Sequence, residues 1–170
     1  TGVQICALPI YFCKQNGIDG KKDNYGNIYI NIPPTDGSKD YIMLSSHMDV
    51  VGDDSPVKPY LDGDFIKAEG RTLGADDKVG VACALKLAKD LTQNPISHGG
   101  LEITLTRDEE TGMSGIEHVE FDKILSKYVL VCDADKLGQL QISGASYTNA
   151  KITVKGLKGG HSGIDIGDKT

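Results

Sequence analysis

Three short apolar runs, each ending in acidic or imidazole-bearing residues, constrain this chain of 170 residues more than any other feature. Tyr41-Ile-Met-Leu44 leads to His47 and Asp49. Leu101-Glu-Ile-Thr-Leu-Thr106 leads to Asp108, Glu109 and Glu110, and Tyr128-Val-Leu-Val-Cys132 leads to Asp133 and Asp135. Short runs of this kind read as strands, and the nearly continuous ones as strands covered on both faces in an α/β sheet. His47 and Asp49 stand two residues apart, so at a strand exit their side chains share one face.

The segments between these runs fit the same class. Asp23-Asn-Tyr-Gly-Asn27 is turn chemistry before Ile28-Tyr-Ile-Asn-Ile32, a strand stopped by Pro33-Pro34. Asp62-Gly63 between Tyr60-Leu61 and Phe65-Ile66 predicts a hairpin. Val81, Leu85 and Ala88 recur at helical spacing, which puts Asp76 at the N-terminal end of an amphipathic helix and reads Asp77 as a helix-start residue. Near the start, Tyr11–Asn16 reads as a last helical turn stopped by Gly17. The opening decapeptide Thr1–Ile10 resembles the conceptual translation of a sequencing-library adapter, and it is set aside as non-native. From about Tyr147 a new unit begins, with Ala150-Lys-Ile-Thr-Val154 as an alternating strand before a glycine-rich loop.

Composition narrows the partners. A formal net charge of -6 and no Lys/Arg block argue against nucleic acid and anionic membranes, leaving small molecules or peptides. No stretch approaches the roughly 20 apolar residues that span a bilayer. Cys6, Cys13, Cys83 and Cys132 are scattered without metal spacing and read as reduced thiols, which places the protein in the cytoplasm.

In open α/β sheets, ligand sites lie beyond the carboxyl ends of the strands, so the residues ending the three runs can converge with Asp76. Several carboxylates and one imidazole, with no basic cluster to balance them, describe a divalent-cation site. Zinc suits that donor mix, with manganese or cobalt as alternatives, and the ligand count favours two ions sharing a carboxylate. A P-loop phosphate binder is excluded by the absence of its glycine-lysine spacing. A non-enzymatic metal-binding module remains the rival outside enzymology.

His47-Met-Asp49, Leu73-Gly-Ala-Asp76-Asp-Lys78, Asp108-Glu109-Glu110-Thr-Gly112 and Asp133, in this order, resemble the motifs of the co-catalytic two-zinc metallopeptidases that include carnosinase, peptidase T and the glutamate carboxypeptidases. Pro59–Gly63, Ala68–Asp76, Gly112–Gly115 and Gly156–Gly163 are most similar to the aminoacyl-histidine dipeptidase branch, the cytosolic non-specific dipeptidases. Asp77-Lys78 and the segment Asp133–Gly138 lean toward peptidase T. The resemblance implies a three-layer α/β catalytic domain with a mixed, mainly parallel sheet over residues 11–146. It also implies the start of an α+β lid and dimerisation domain over 147–170.

It further implies roles. Asp76 bridges two divalent metal ions, His47 and Asp133 complete one, and Glu110 helps hold the other. Asp49 orients the His47 ring. Glu109 is the general base, and His161 polarises the substrate from the lid. Asp135 stays a polar turn residue, and His98 and His118 surface or packing residues. The implied activity is metal-dependent hydrolysis of dipeptides, either Xaa-His or broad in specificity, by a homodimer. A peptidase T-like tripeptide aminopeptidase and an N-acyl amino acid amidohydrolase are the alternatives. The family's distal histidine ligand has no counterpart here, so the resemblance also implies a fragment that is inactive by itself.

Overall fold

β-branched residues dominate Ile28-Tyr-Ile-Asn-Ile32, where every second side chain is buried, and this alternation sets the inner face of the main sheet. The structure, a computed structural model, describes residues 7–53, 55–94, 96–146, 148–156, 159–160 and 164. The elements in chain order are α1 (Ala7–Gln15), β1 (Gly20–Lys22), β2 (Ile28–Ile32), β3 (Tyr41–His47), β4 (Pro59–Asp62) and β5 (Phe65–Ala68). They are followed by α2 (Ala75–Gln93), β6 (Gly100–Thr106), α3 (Ser114–Glu117), a 3-10 turn (Phe121–Lys123) and β7 (Tyr128–Val131).

Five strands form one mixed sheet in the order β1-β2-β6-β3-β7, and β4 and β5 form the expected hairpin. β3 lies parallel to both β6 and β7, whereas β2 runs antiparallel to β6. The carboxyl ends of the three parallel strands therefore open at the same edge, which is what brings their acidic extensions together. His47 is itself the last residue of β3, opposite Thr106 of β6, rather than a residue beyond the strand. β3 is not covered on both faces along its length, since Ile42 is exposed, and every residue of β7 is exposed.

Ile28, Ile30 and Ile32 of β2 and Leu101, Ile103 and Leu105 of β6 share one face, against Val81, Ala84, Leu85 and Ala88 of α2. The small Ala84 and Ala88 let the helix sit close to the sheet, and both are fully buried. On the other face, the Glu102 carboxylate accepts hydrogen bonds from the amides of Leu125 and Ser126 and from the Ser126 hydroxyl, tying the 120s segment to β6. α1 begins at Ala7, inside the segment set aside in the sequence, and Ile10 packs against the core. Pro9 fits there because the first helical turn has no intrahelical use for its missing amide.

The chain divides into two compact units, residues 1–137 and 138–170. In the second, the described residues form no helix or strand. The expected strand at Ala150–Val154 is absent because an alternating pattern needs a partner ladder for its backbone groups, and none is present among the described residues.

Candidate metal centre

The site grows from the exit of β3. The His47 ring is buried, with Nδ1 3.0 Å from the Asp49 carbonyl oxygen. A carbonyl only accepts, so Nδ1 carries a proton and Nε2 faces the cluster. Nε2 lies 2.9 Å from Asp76 Oδ1, 3.8 Å from Asp133 Oδ2 and 4.0 Å from Glu109 Oε2. His47, Asp76 and Asp133 form one group whose ligand atoms lie within 4.8 Å of one another, and His47, Glu109 and Glu110 form a second. Four separate chain segments thus meet around one imidazole.

Asp49 does something the sequence did not disclose. Its carboxylate stands 3.5 Å from His47 Nδ1, beyond a good hydrogen bond, so the ring is oriented by the Asp49 carbonyl. The carboxylate instead accepts the backbone amides of Glu109 at 3.2 Å and Glu110 at 3.1 Å. It pins the loop that carries the candidate base to the end of β3.

Asp77 is the residue that sequence reasoning missed. Asp76 and Asp77, joined by a cis peptide bond, have non-helical backbone angles at the head of α2. Asp76 is mostly exposed and faces His47, whereas Asp77 is 2% exposed and accepts hydrogen bonds from the amides of His47 and Gly80. It ties α2 to β3 directly beneath the site. The only local signal for this was a second acid beside the first, followed three residues later by a glycine.

Electrostatics fit a cation. Burial pushes the carboxyls of Asp133 and Glu109 up, and the surrounding carboxylates add to it: Asp76 for Asp133, and Glu110, Asp133 and Asp49 for Glu109. The nearby His47 works against the shift in both. For His47, burial disfavours the charged ring, but the Asp76 hydrogen bond and the charges of Asp49, Glu109 and Asp133 outweigh it and hold the pKa above its ordinary value. A proton shared between Nε2 and Asp76 would relieve the crowding that a divalent cation would relieve more fully, and metal binding at such a site releases protons. Imidazole nitrogen with carboxylate oxygens is a zinc-type donor set. Beside the cluster lies a cavity of about 220 Å³ lined by Met113, Ile116 and Val131 together with His47, Glu109 and Asp133.

Residues 43–154 match the model of peptidase family M20/M25/M40. The chain belongs to this family. The M20/M25/M40 relatives include the cytosol non-specific dipeptidase of Escherichia coli K12, 31% identical over 96% of this chain and 39% of the relative. Among solved structures of the family's fold, aminopeptidase PepT from Bacillus cereus ATCC 10987 is similar with a TM-score of 0.71 and 30% identity, over 77% of this chain and 38% of that one. The aminoacylhistidine dipeptidase from Vibrio alginolyticus gives 0.65 and 33%, over 80% of this chain and 29% of that one. The chain thus spans well under half the length of these relatives.

Of the residues singled out in the sequence, His47, Asp49, Asp76, Glu109, Glu110 and Asp133 meet in this one cluster. Asp135 is exposed. His161 lies outside the described residues. No described helix is long and apolar enough to cross a membrane.

Proposed function

We propose that the full-length protein hydrolyses the peptide bond of dipeptides at this site, using two divalent cations, zinc ahead of manganese or cobalt for this donor set. The carrying observation is the convergence of Asp76, Asp133 and Glu109 oxygens within 4.0 Å of His47 Nε2. His47 and Asp133 would hold one ion and Glu110 would help hold the other, with Asp76 serving both. When bound, such ions would polarise the scissile carbonyl and acidify the attacking water.

Glu109 accepts the proton of that water and returns it to the leaving amine. Asp49 holds the Glu109 amide in place while this happens, and His161 donates toward the developing oxyanion. The protein works in the cytoplasm as a homodimer, its lid beginning near residue 147. The likeness to aminopeptidase PepT favours a second reading, removal of the first residue from tripeptides.

The test is turnover by the full-length protein of matched dipeptides, Xaa-His peptides and tripeptides, with zinc, manganese and cobalt each supplied. Glu109→Gln should keep its metal and lose turnover by about 10² or more. Full activity in Glu109→Gln would remove the base assignment, and faster cleavage of tripeptides would select the second reading.

A further inference from the structure

The loop that carries Glu109 is held at both ends by a side chain that belongs to no part of the metal cluster. Tyr25 lies in the turn before β2. Its hydroxyl is 2.9 Å from Asp108 Oδ2 and 2.8 Å from Ser114 Oγ. A carboxylate only accepts, so the phenol proton goes to Asp108, and the Ser114 hydroxyl donates to the phenol oxygen. Asp108 directly precedes Glu109, and Ser114 begins α3 four residues after Glu110. One oxygen atom therefore bridges the two ends of the loop.

That loop needs holding. Asp108 and Met113 both have left-handed backbone angles, with φ of 59° and 61°, a region that side chains other than glycine's rarely adopt. Conformations of this kind persist when surrounding contacts over-determine them. The Tyr25 ring is itself fixed: it stacks on His118 with ring centres 3.9 Å apart, the Arg107 guanidinium lies 5.7 Å from its centroid, and Arg107 donates to the Tyr25 carbonyl at 3.0 Å. Beneath it, Asp23 accepts the amides of Gly26 and Asn27 and sets the turn.

We propose that Tyr25 is a positioning residue for Glu109, holding the Asp108–Ser114 loop so that the base carboxylate stays aimed at the reacting centre. The inference rests on the peptidase reading given above. His47, Asp76 and Asp133 come from other segments, so the clamp acts on the base and leaves that metal group alone. A misplacement of about 1 Å at a reacting group can lower turnover about a hundredfold, which is the scale on which such a clamp matters.

Tyr25→Phe keeps the ring between His118 and Arg107 and removes only the hydroxyl. In the full-length protein, kcat should fall about tenfold to a hundredfold, with KM and zinc affinity at the His47–Asp76–Asp133 group each within about twofold of wild type. A kcat within twofold of wild type overturns the proposal. So does a parallel loss of zinc affinity at that His47–Asp76–Asp133 group, which would mean a general folding role. A second arm needs no activity: hydrogen exchange at the Glu109 and Glu110 amides should quicken in Tyr25→Phe while the β2 and β6 amides keep their protection. Unchanged exchange at those two amides also overturns the clamp. If wild-type full-length protein cleaves no peptide, the functional reading fails, and the exchange result still decides whether the clamp exists.

Discussion

Replacing Asn27 by aspartate perturbs the support of the site without changing its shape. Asn27 is completely buried, with its amide group shared among three partners. Nδ2 donates to Asp23 Oδ2 at 2.9 Å and to the Gly115 carbonyl at 3.0 Å, while Oδ1 accepts the Arg107 amide at 3.2 Å. The orientation is fixed by the partners, since a backbone amide must donate and a backbone carbonyl must accept. Asn27→Asp keeps the acceptor for Arg107 and deletes both donations. The one to Asp23 is charge-assisted, worth about 1.5–3 kcal/mol, and the one to the Gly115 carbonyl, which keeps the His118 amide as a donor, is worth about 0.5–1.5 kcal/mol.

A loss of about 2–4 kcal/mol at pH 7 follows, about one and a half to three decades in the folded ratio. The introduced carboxyl is buried against Asp23, so its proton is held more tightly in the folded chain than in the unfolded one. The deficit is therefore smallest at low pH and grows as pH rises through the folded pKa. Urea denaturation of both chains across that range measures it, with the midpoint falling at constant slope. A deficit under about 1 kcal/mol at pH 7, or one independent of pH, would refute the reasoning.

Gly80→Ala would set a methyl group against the Asp77 carboxylate, 2.6 Å from the Cys132 carbonyl and 2.7 Å from Ser46 Oγ. A cost of about 1–3 kcal/mol and weaker zinc binding by calorimetry are expected, because α2 must move away from β3 and take Asp76 with it. The Tyr29 hydroxyl is pushed up to about 12 by burial and then by the hydrogen bond and charge of Asp23. Its contribution to stability is therefore complete below about pH 10 and lost as pH rises toward 12, and Tyr29→Phe should flatten that alkaline decline in thermal melts. Burial pushes the Cys13 thiol up to about 11, whereas Cys83 is exposed, so iodoacetamide followed by peptide mass mapping should label Cys83 well before Cys13.

What the sequence disclosed was periodicity and strand exits. The apolar runs, the Asp62-Gly63 hairpin and the helix after Asp76 are local patterns, and each is formed where its residues dictate. The antiparallel placement of β2 beside β6 was not legible, because pairing depends on partners about 70 residues apart that carry no label for one another. Asp77 was read as a helix-start acid because its environment is made by a β3 amide 30 residues earlier. Tyr25 and Asn27 passed as turn chemistry for the same reason. Their significance lies in what the chain later brings against them at Arg107, Asp108 and Gly115.

The two carboxylate oxygens of Asp49 are each engaged by a backbone amide of the Glu109-Glu110 loop. For anyone moving this chemistry to another scaffold, the transferable module is therefore larger than a set of ligand side chains. A transplanted His-x-Asp strand exit would arrive with an anion seeking two amides, and unless the acceptor fold offers a loop at that spot, the aspartate would turn toward the metal and change the donor count. The strand exit and the loop it grips travel together or not at all.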